Sequence, residues 1–343
     1  MTLRFTPSFL LAPVLCLFCF VSTAQDIHYS QFYASPLTLN PALTGINDCS
    51  YRVTGMYRNQ WSSVPATFST PSLSFDINSL APKVIKTGNL AAGFLIYNDR
   101  SGDGHLNNLS LVGSGGYSIN PDFEKKHTVS IGLQVGYTQK RIDLDKLIFE
   151  DQIQNGSTVS QELLNGMDDK MGYVNAHAGI LWLFKPTDKA RVYLGAAGFN
   201  LLQPEEQFSG FESTVDNKLG IRPVFHGGGS FDVNEKIGVH PSVLYQMQSG
   251  SSELNLGTAL SVALKGNFDP KVFFGAYYRH QDAVIPVVAM DYRNFRVGLS
   301  YDVNISSLNE ASGGKGGFEL SLAYTGCISS VVDVEPIQWC PRF

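Results

Sequence analysis

The sequence predicts an all-β protein: a transmembrane β-barrel of the outer-membrane type, with about 14 antiparallel strands. Three observations carry that expectation. After residue 50 the chain alternates apolar with small or polar residues, in runs of about 10 to 14 residues that cross a membrane at a tilt. Its composition is low in charge, 16% against the roughly 25% of ordinary soluble domains, and rich in Gly (33), Phe (22) and Tyr (15) over 343 residues. The connections between runs alternate short and long, as the turns and outer loops of a barrel do.

In chain order, residues 1–24 read as a secretory signal peptide. Arg4 supplies the positive charge, Phe9 to Val21 is apolar, and Ser22-Thr23-Ala24 offers a small-residue cleavage site before Gln25. The apolar run is too short to make a good spanning helix. Leu15 and Phe18 precede Cys16 and Cys19, where a lipoprotein signal needs a small residue. Residues 25–48 are polar and aromatic, with turn signals at Pro36 and Asn40-Pro41. They are expected to form an irregular lead-in on the periplasmic side, able to tuck into the lumen.

The barrel is expected over 49–327, with strands at 50–59, 69–79, 90–98, 105–120, 127–140, 172–185, 189–201, 222–233, 236–248, 252–265, 270–280, 284–293, 294–304 and 317–326. The alternation is plain within them. Val129, Ile131, Leu133, Val135 and Tyr137 alternate with Ser130, Gly132, Gln134, Gly136 and Thr138. Phe295, Val297, Leu299 and Tyr301 alternate with Arg296, Gly298, Ser300 and Asp302. One face is greasy and meets lipid; the other is small or polar and meets the lumen. An even strand count returns both barrel ends to the periplasm. The long insertions 141–171 and 202–221 and the stretch Ser306 to Gly316 all follow odd strands, so they belong to the outer side. Val233–Lys236 and Arg293-Asn294, the shortest links, follow even strands. Leu80 to Asn89 is long for a periplasmic turn. Residues 328–343 form a periplasmic tail.

The net charge of −5, with no basic run, argues against a nucleic-acid partner. Once the signal is cleaved, Cys49, Cys327 and Cys340 remain in an oxidising compartment and allow one bridge. The short loop favours Cys327–Cys340; Cys49 with either C-terminal partner stays open. No cofactor or metal is expected, because the His residues are scattered and the Cys spacing suits no zinc site. A membrane-embedded hydrolase rests only on His177 and on Ser242 beside His240. A passive porin is the stronger alternative, although the inward positions are rich in Gly, Ala and Ser and poor in the charge that lines a porin.

Several segments then resemble one family. His28-Tyr29-Ser30-Gln31-Phe32-Tyr33, Ser35-Pro36-Leu37 and Asn40-Pro41-Ala42-Leu43-Thr44-Gly45 are similar to the start of the PorP/SprF family. Tyr57-Arg58-Asn59-Gln60-Trp61 is similar to its next hallmark, and Gly316 to Leu322 and Cys340-Pro341-Arg342-Phe343 are similar to its C-terminal end. The resemblance implies an outer-membrane protein of the Bacteroidetes type IX secretion system, with no enzymatic activity. Such barrels aid export or surface anchoring of cargo, adhesins among them, through the cargo's C-terminal sorting domain; some serve gliding motility. The partners implied are the secretion translocon, the periplasmic lipoprotein ring, a peptidoglycan-binding protein and outer-membrane lipid. Plainer roles are also expected: a turn for Asn40-Pro41, an aromatic girdle for Trp61, and for Arg58 a lumen carboxylate such as Asp302 or Glu319 across the closing seam.

Overall fold

A computed structural model of the chain describes residues 26–60, 68–78, 80, 88–102, 105–147, 152–153, 168–208, 217–265, 270–306 and 314–328. The signal segment 1–24, Trp61, Cys340, Pro341, Arg342 and Phe343 lie outside the described residues, as do the middles of the two long loops.

Fourteen antiparallel strands close into one barrel. They are β1 (Tyr51–Gln60), β2 (Phe68–Ile77), β3 (Asn89–Ser101), β4 (Leu106–Ile119), β5 (His127–Arg141), β6 (Lys170–Thr187), β7 (Ala190–Phe199), β8 (Arg222–Asp232), β9 (Ile237–Gln248), β10 (Ser251–Ala263), β11 (Lys271–Arg279), β12 (Ala283–Tyr292), β13 (Phe295–Asn304) and β14 (Lys315–Gly326). Every expected span lies within three residues of its strand at both ends. Each strand pairs with its chain neighbours, and β1 pairs with β14 from Tyr51↔Gly326 to Gln60↔Gly317, which closes the seam. Pairing of β12 with β13 skips Ile285 and Pro286, and the proline nitrogen has no hydrogen to donate.

The alternation decides which face is which. On β5, Thr128, Ser130, Gln134 and Thr138 are buried, whereas Ile131, Leu133 and Val135 stand 54–67% exposed. The large apolar side chains therefore point outward on a closed sheet, the reverse of a soluble core. Such a belt is stable in hydrocarbon, where the closed ladder also satisfies every strand's backbone. No helix among the described residues is long and apolar enough to cross a membrane.

The connections sort by end. At the loop end lie the long links β5–β6 and β7–β8 and the link β13–β14; at the tail end β1 begins and β14 finishes. Cys49 and Cys327 meet there in a disulfide with Cα atoms 4.6 Å apart. This corrects the expected Cys327–Cys340 pairing. Short sequence separation pointed to the wrong partner, because Tyr51↔Gly326 pairing sets the residues flanking the seam side by side.

Candidate functional site

The lumen is occupied. Residues 26–48 run through it from the loop end to the tail end and are buried for most of their length. The lead-in expected at the periplasmic side does tuck into the lumen, but it starts at the loop end and spans the barrel's height as a plug. Three short helical turns shape it, at Phe32–Ala34, Pro36–Leu39 and Pro41–Leu43. Pro36 and Pro41 each sit at a first helical position, where the missing N–H costs nothing and the fixed φ suits a helix. Asn40 caps the last turn, its Oδ1 accepting from the Ala42 N–H at 2.9 Å. The motif read as a turn signal does shape a turn.

At the loop end the plug enters through Asp26. Its N–H donates to Gln248 Oε1 at 2.8 Å, and its carboxylate accepts from Asn200 Nδ2 at 2.6 Å. Arg222 Nε lies 3.4 Å from the same carboxylate.

Just below, a buried charge cluster grips Ser30 and Gln31. Glu319 accepts the Ser30 N–H at 2.7 Å on one oxygen and the Gln31 N–H at 2.8 Å on the other. Arg58 donates to Glu319 at 2.6 Å and to Asp302 at 3.3 Å. Arg279 donates to Asp302 at 2.6 Å and to Asp282 at the same distance. Ser30 Oγ accepts from both arginines at 3.0 Å and faces Asp302 Oδ1 at 2.7 Å, to which its single hydrogen points. Gln31 adds bonds to Ser300 and Ser321. Two cations thus balance two carboxylates that are each no more than 1% exposed, and four strands are tied to two plug residues.

At mid-height the plug packs against bare backbone. Asn40 Nδ2 donates to Ile180 O at 3.0 Å and lies 3.0 Å from His226 Nε2. A Cβ on Gly179 would sit 2.0 Å from Asn40 Oδ1, and one on Gly132 would sit 2.1 Å from Pro41 O, so this wall needs glycine. Gln134 donates to Leu37 O, and Ser130 to Ala42 O. Phe32 meets Tyr277 edge to face and Tyr33 meets it at a tilt, with ring centroids 6.0 and 5.4 Å away.

At the tail end a second buried ion pair takes over. Arg52 holds Asp76 through Nε at 2.9 Å and Nη2 at 3.0 Å. Asp76 also accepts the Gly45 N–H at 2.9 Å. Gly45 has φ +71°, the left-handed turn that brings the chain to that carboxylate. Arg52 donates further to the carbonyls of Leu43 and Ile46.

Ser30, Gln31, Asn40, Pro41, Gly45 and Arg58 of the expected site are thus brought together in one lumen. Arg58 has both of its expected carboxylate partners, and Gln60 accepts from its Nη2 at 3.1 Å. Tyr57 and Asn59 alternate outward on the same strand. Sequence reasoning missed Arg52, Asp76 and Arg279. Their signal was an ionisable residue at an inward position of a strand otherwise lined by small residues. Of the hydrolase candidates, His240 bonds Ser261 and Ser242 bonds Tyr277. Among the described residues no group of three or more His, Cys, Asp or Glu is placed to hold a metal.

A family model described as type IX secretion system membrane protein PorP/SprF matches residues 21–324. No curated protein matches the chain in sequence. Among solved structures, the toluene transporter TbuX of Ralstonia pickettii is similar at 12% identity and TM-score 0.53, over 84% of this chain and 93% of that one. A FadL homologue of Pseudomonas aeruginosa is similar at 10% identity and TM-score 0.50, over 83% and 92%. At such identities the likeness is one of fold alone.

Proposed function

The chain belongs to the PorP/SprF family of type IX secretion system membrane proteins, and from that premise we propose that it is an outer-membrane anchor and docking platform for an exported cargo protein. The cargo does not pass through it. The observation that carries this reading is the plug: residues 26–48 are buried in the lumen and hydrogen-bond at two levels to the buried ion pairs of the wall, Glu319 with Arg58 and Asp76 with Arg52. A hydrogen bond to a charged group contributes about 1.5–3 kcal/mol, and several such bonds would have to break before a chain could enter.

In this reading the loop end faces outward. Its long connections, with the rim they frame, hold the C-terminal sorting domain of a cargo such as an adhesin. The tail end, with residues 328–343, faces the translocon, the periplasmic lipoprotein ring and the peptidoglycan-binding protein. Family membership supports association with the secretion machinery; the assignment of ends rests on loop length. Deleting 141–171 is expected to strip cargo from the cell surface while the barrel still assembles. Normal surface cargo after that deletion would reject the reading.

The passive-porin alternative draws on neighbours that are themselves named transporters. Swelling of liposomes that carry the purified protein, at a rate set by solute size, would favour it. The plug supports the opposite expectation.

A further inference from the structure

The outer wall of β6–β9 carries a groove that the plug does not explain. Its volume is about 490 Å³. Trp182, Leu194, Phe225 and Tyr245 rim it, and Ala196 and Gly227 form its floor. Ala196 and Gly227 lie in mid-strand, at outward positions, so the groove opens at the depth of the membrane's hydrocarbon. Its floor is one backbone layer thick. On the inner side Asn40 of the plug bonds the carbonyls of Ile180 and Ala196, which holds this stretch of wall in place.

We propose that this groove binds one acyl chain of an outer-membrane lipid as a resident ligand. Shape argues for it. Four adjacent strands span about 14 Å, so the groove is short and narrow between its aromatic ridges. An extended peptide would bring a row of unpaired N–H and C=O groups to a lining whose outward polar groups are the Tyr245 hydroxyl and the Trp182 indole N–H, the latter already bonded to His127, at a depth without water. A hydrocarbon chain leaves nothing unsatisfied and packs on the small floor between the aromatic ridges. The inference needs only the membrane location of the barrel and stands apart from its role toward cargo.

The test uses the full-length protein in proteoliposomes of phosphatidylethanolamine doped with a phospholipid that carries a photoactivatable diazirine in its acyl chain. After irradiation the adducts are mapped by peptide mass spectrometry. Peptides holding 180–182, 194–196, 225–227 and 243–245 are expected to carry at least five times the adduct of the equally greasy stretch around Val135 and Val288. The Ala196→Phe variant fills the groove from outside and should bring those peptides down to the background of the rest of the barrel. Even labelling around the wild-type barrel would overturn the proposal, and that measurement needs no variant. So would labelling that Ala196→Phe leaves unchanged in a folded, heat-modifiable barrel. A co-purified polypeptide crosslinked at Ala196 in place of lipid would overturn it as well.

Discussion

Glu319 sits at the middle of the barrel's electrostatics. Each of its oxygens accepts a plug N–H, and Arg58 supplies the countercharge. A carboxylate sealed from water is tolerable only when its lone pairs are filled in this way. Replacing Arg58 by Met keeps length and removes the charge, leaving Glu319 short of its main cation and Asp302 with Arg279 alone. About 3–5 kcal/mol should be lost, read as a lower temperature at which the folded gel band converts to the unfolded one. An unchanged transition would mean the cluster is not stabilising. Asn40→Ala removes a cap and the bonds to the β6 and β7 carbonyls. It should cost about 1–2 kcal/mol and expose residues 26–48 to protease while the strands stay protected. The partners of Arg58 were legible because 58, 319 and 302 have inward parity on β1, β14 and the next strand, β13. Asp76 and Arg279 were not, since parity shows that a residue faces the lumen but not which part of the plug lies opposite.

Among the elements, β5 and the seam carry the sharpest consequences. Gly132 has no room for a side chain against Pro41, so Gly132→Leu should displace the plug while β5 keeps its ladder to β4 and β6. Planar-bilayer recordings should then show conductance that the wild type lacks; a silent variant would place the seal elsewhere. At the seam, the Cys49–Cys327 bridge should make the unreduced, denatured chain run faster on a gel than the reduced one. Cys49→Ser should abolish that difference and Cys340→Ser should preserve it. Closing a loop this long constrains the unfolded chain, and its loss should cost about 2–5 kcal/mol. The strands themselves were legible to within a few residues, because an apolar-to-small period of two has only one way to face both lipid and lumen.

For the whole molecule, the balance between barrel and plug is what matters. The closed ladder satisfies its own backbone, so the barrel should assemble without residues 26–47. That deletion is expected to leave a heat-modifiable barrel that admits small solutes into liposomes. If solute entry stays at the wild-type level, the plug is not what shuts the lumen, and the platform reading loses its main support.

The sequence by itself determined the barrel: its class, its fourteen strands, which face meets lipid, and on which end the long loops fall. Those features follow from local periodicity, which each strand carries on its own. The family, too, was readable from motifs; its model matches residues 21–324, which takes in the N-terminal motifs and Gly316 to Leu322 but not Cys340-Pro341-Arg342-Phe343. Only the tertiary structure decided where the described motif residues meet their partners. Ser30, Asn40 and Gly45 are far in sequence from Glu319, Ile180 and Asp76, and nothing local couples them. Closure brings those strands around one lumen, and an irregular segment finds its path there by long-range hydrogen bonds and ion pairs. The pairing of Cys49 with Cys327 has the same origin: the first and last strands become neighbours only when the sheet closes.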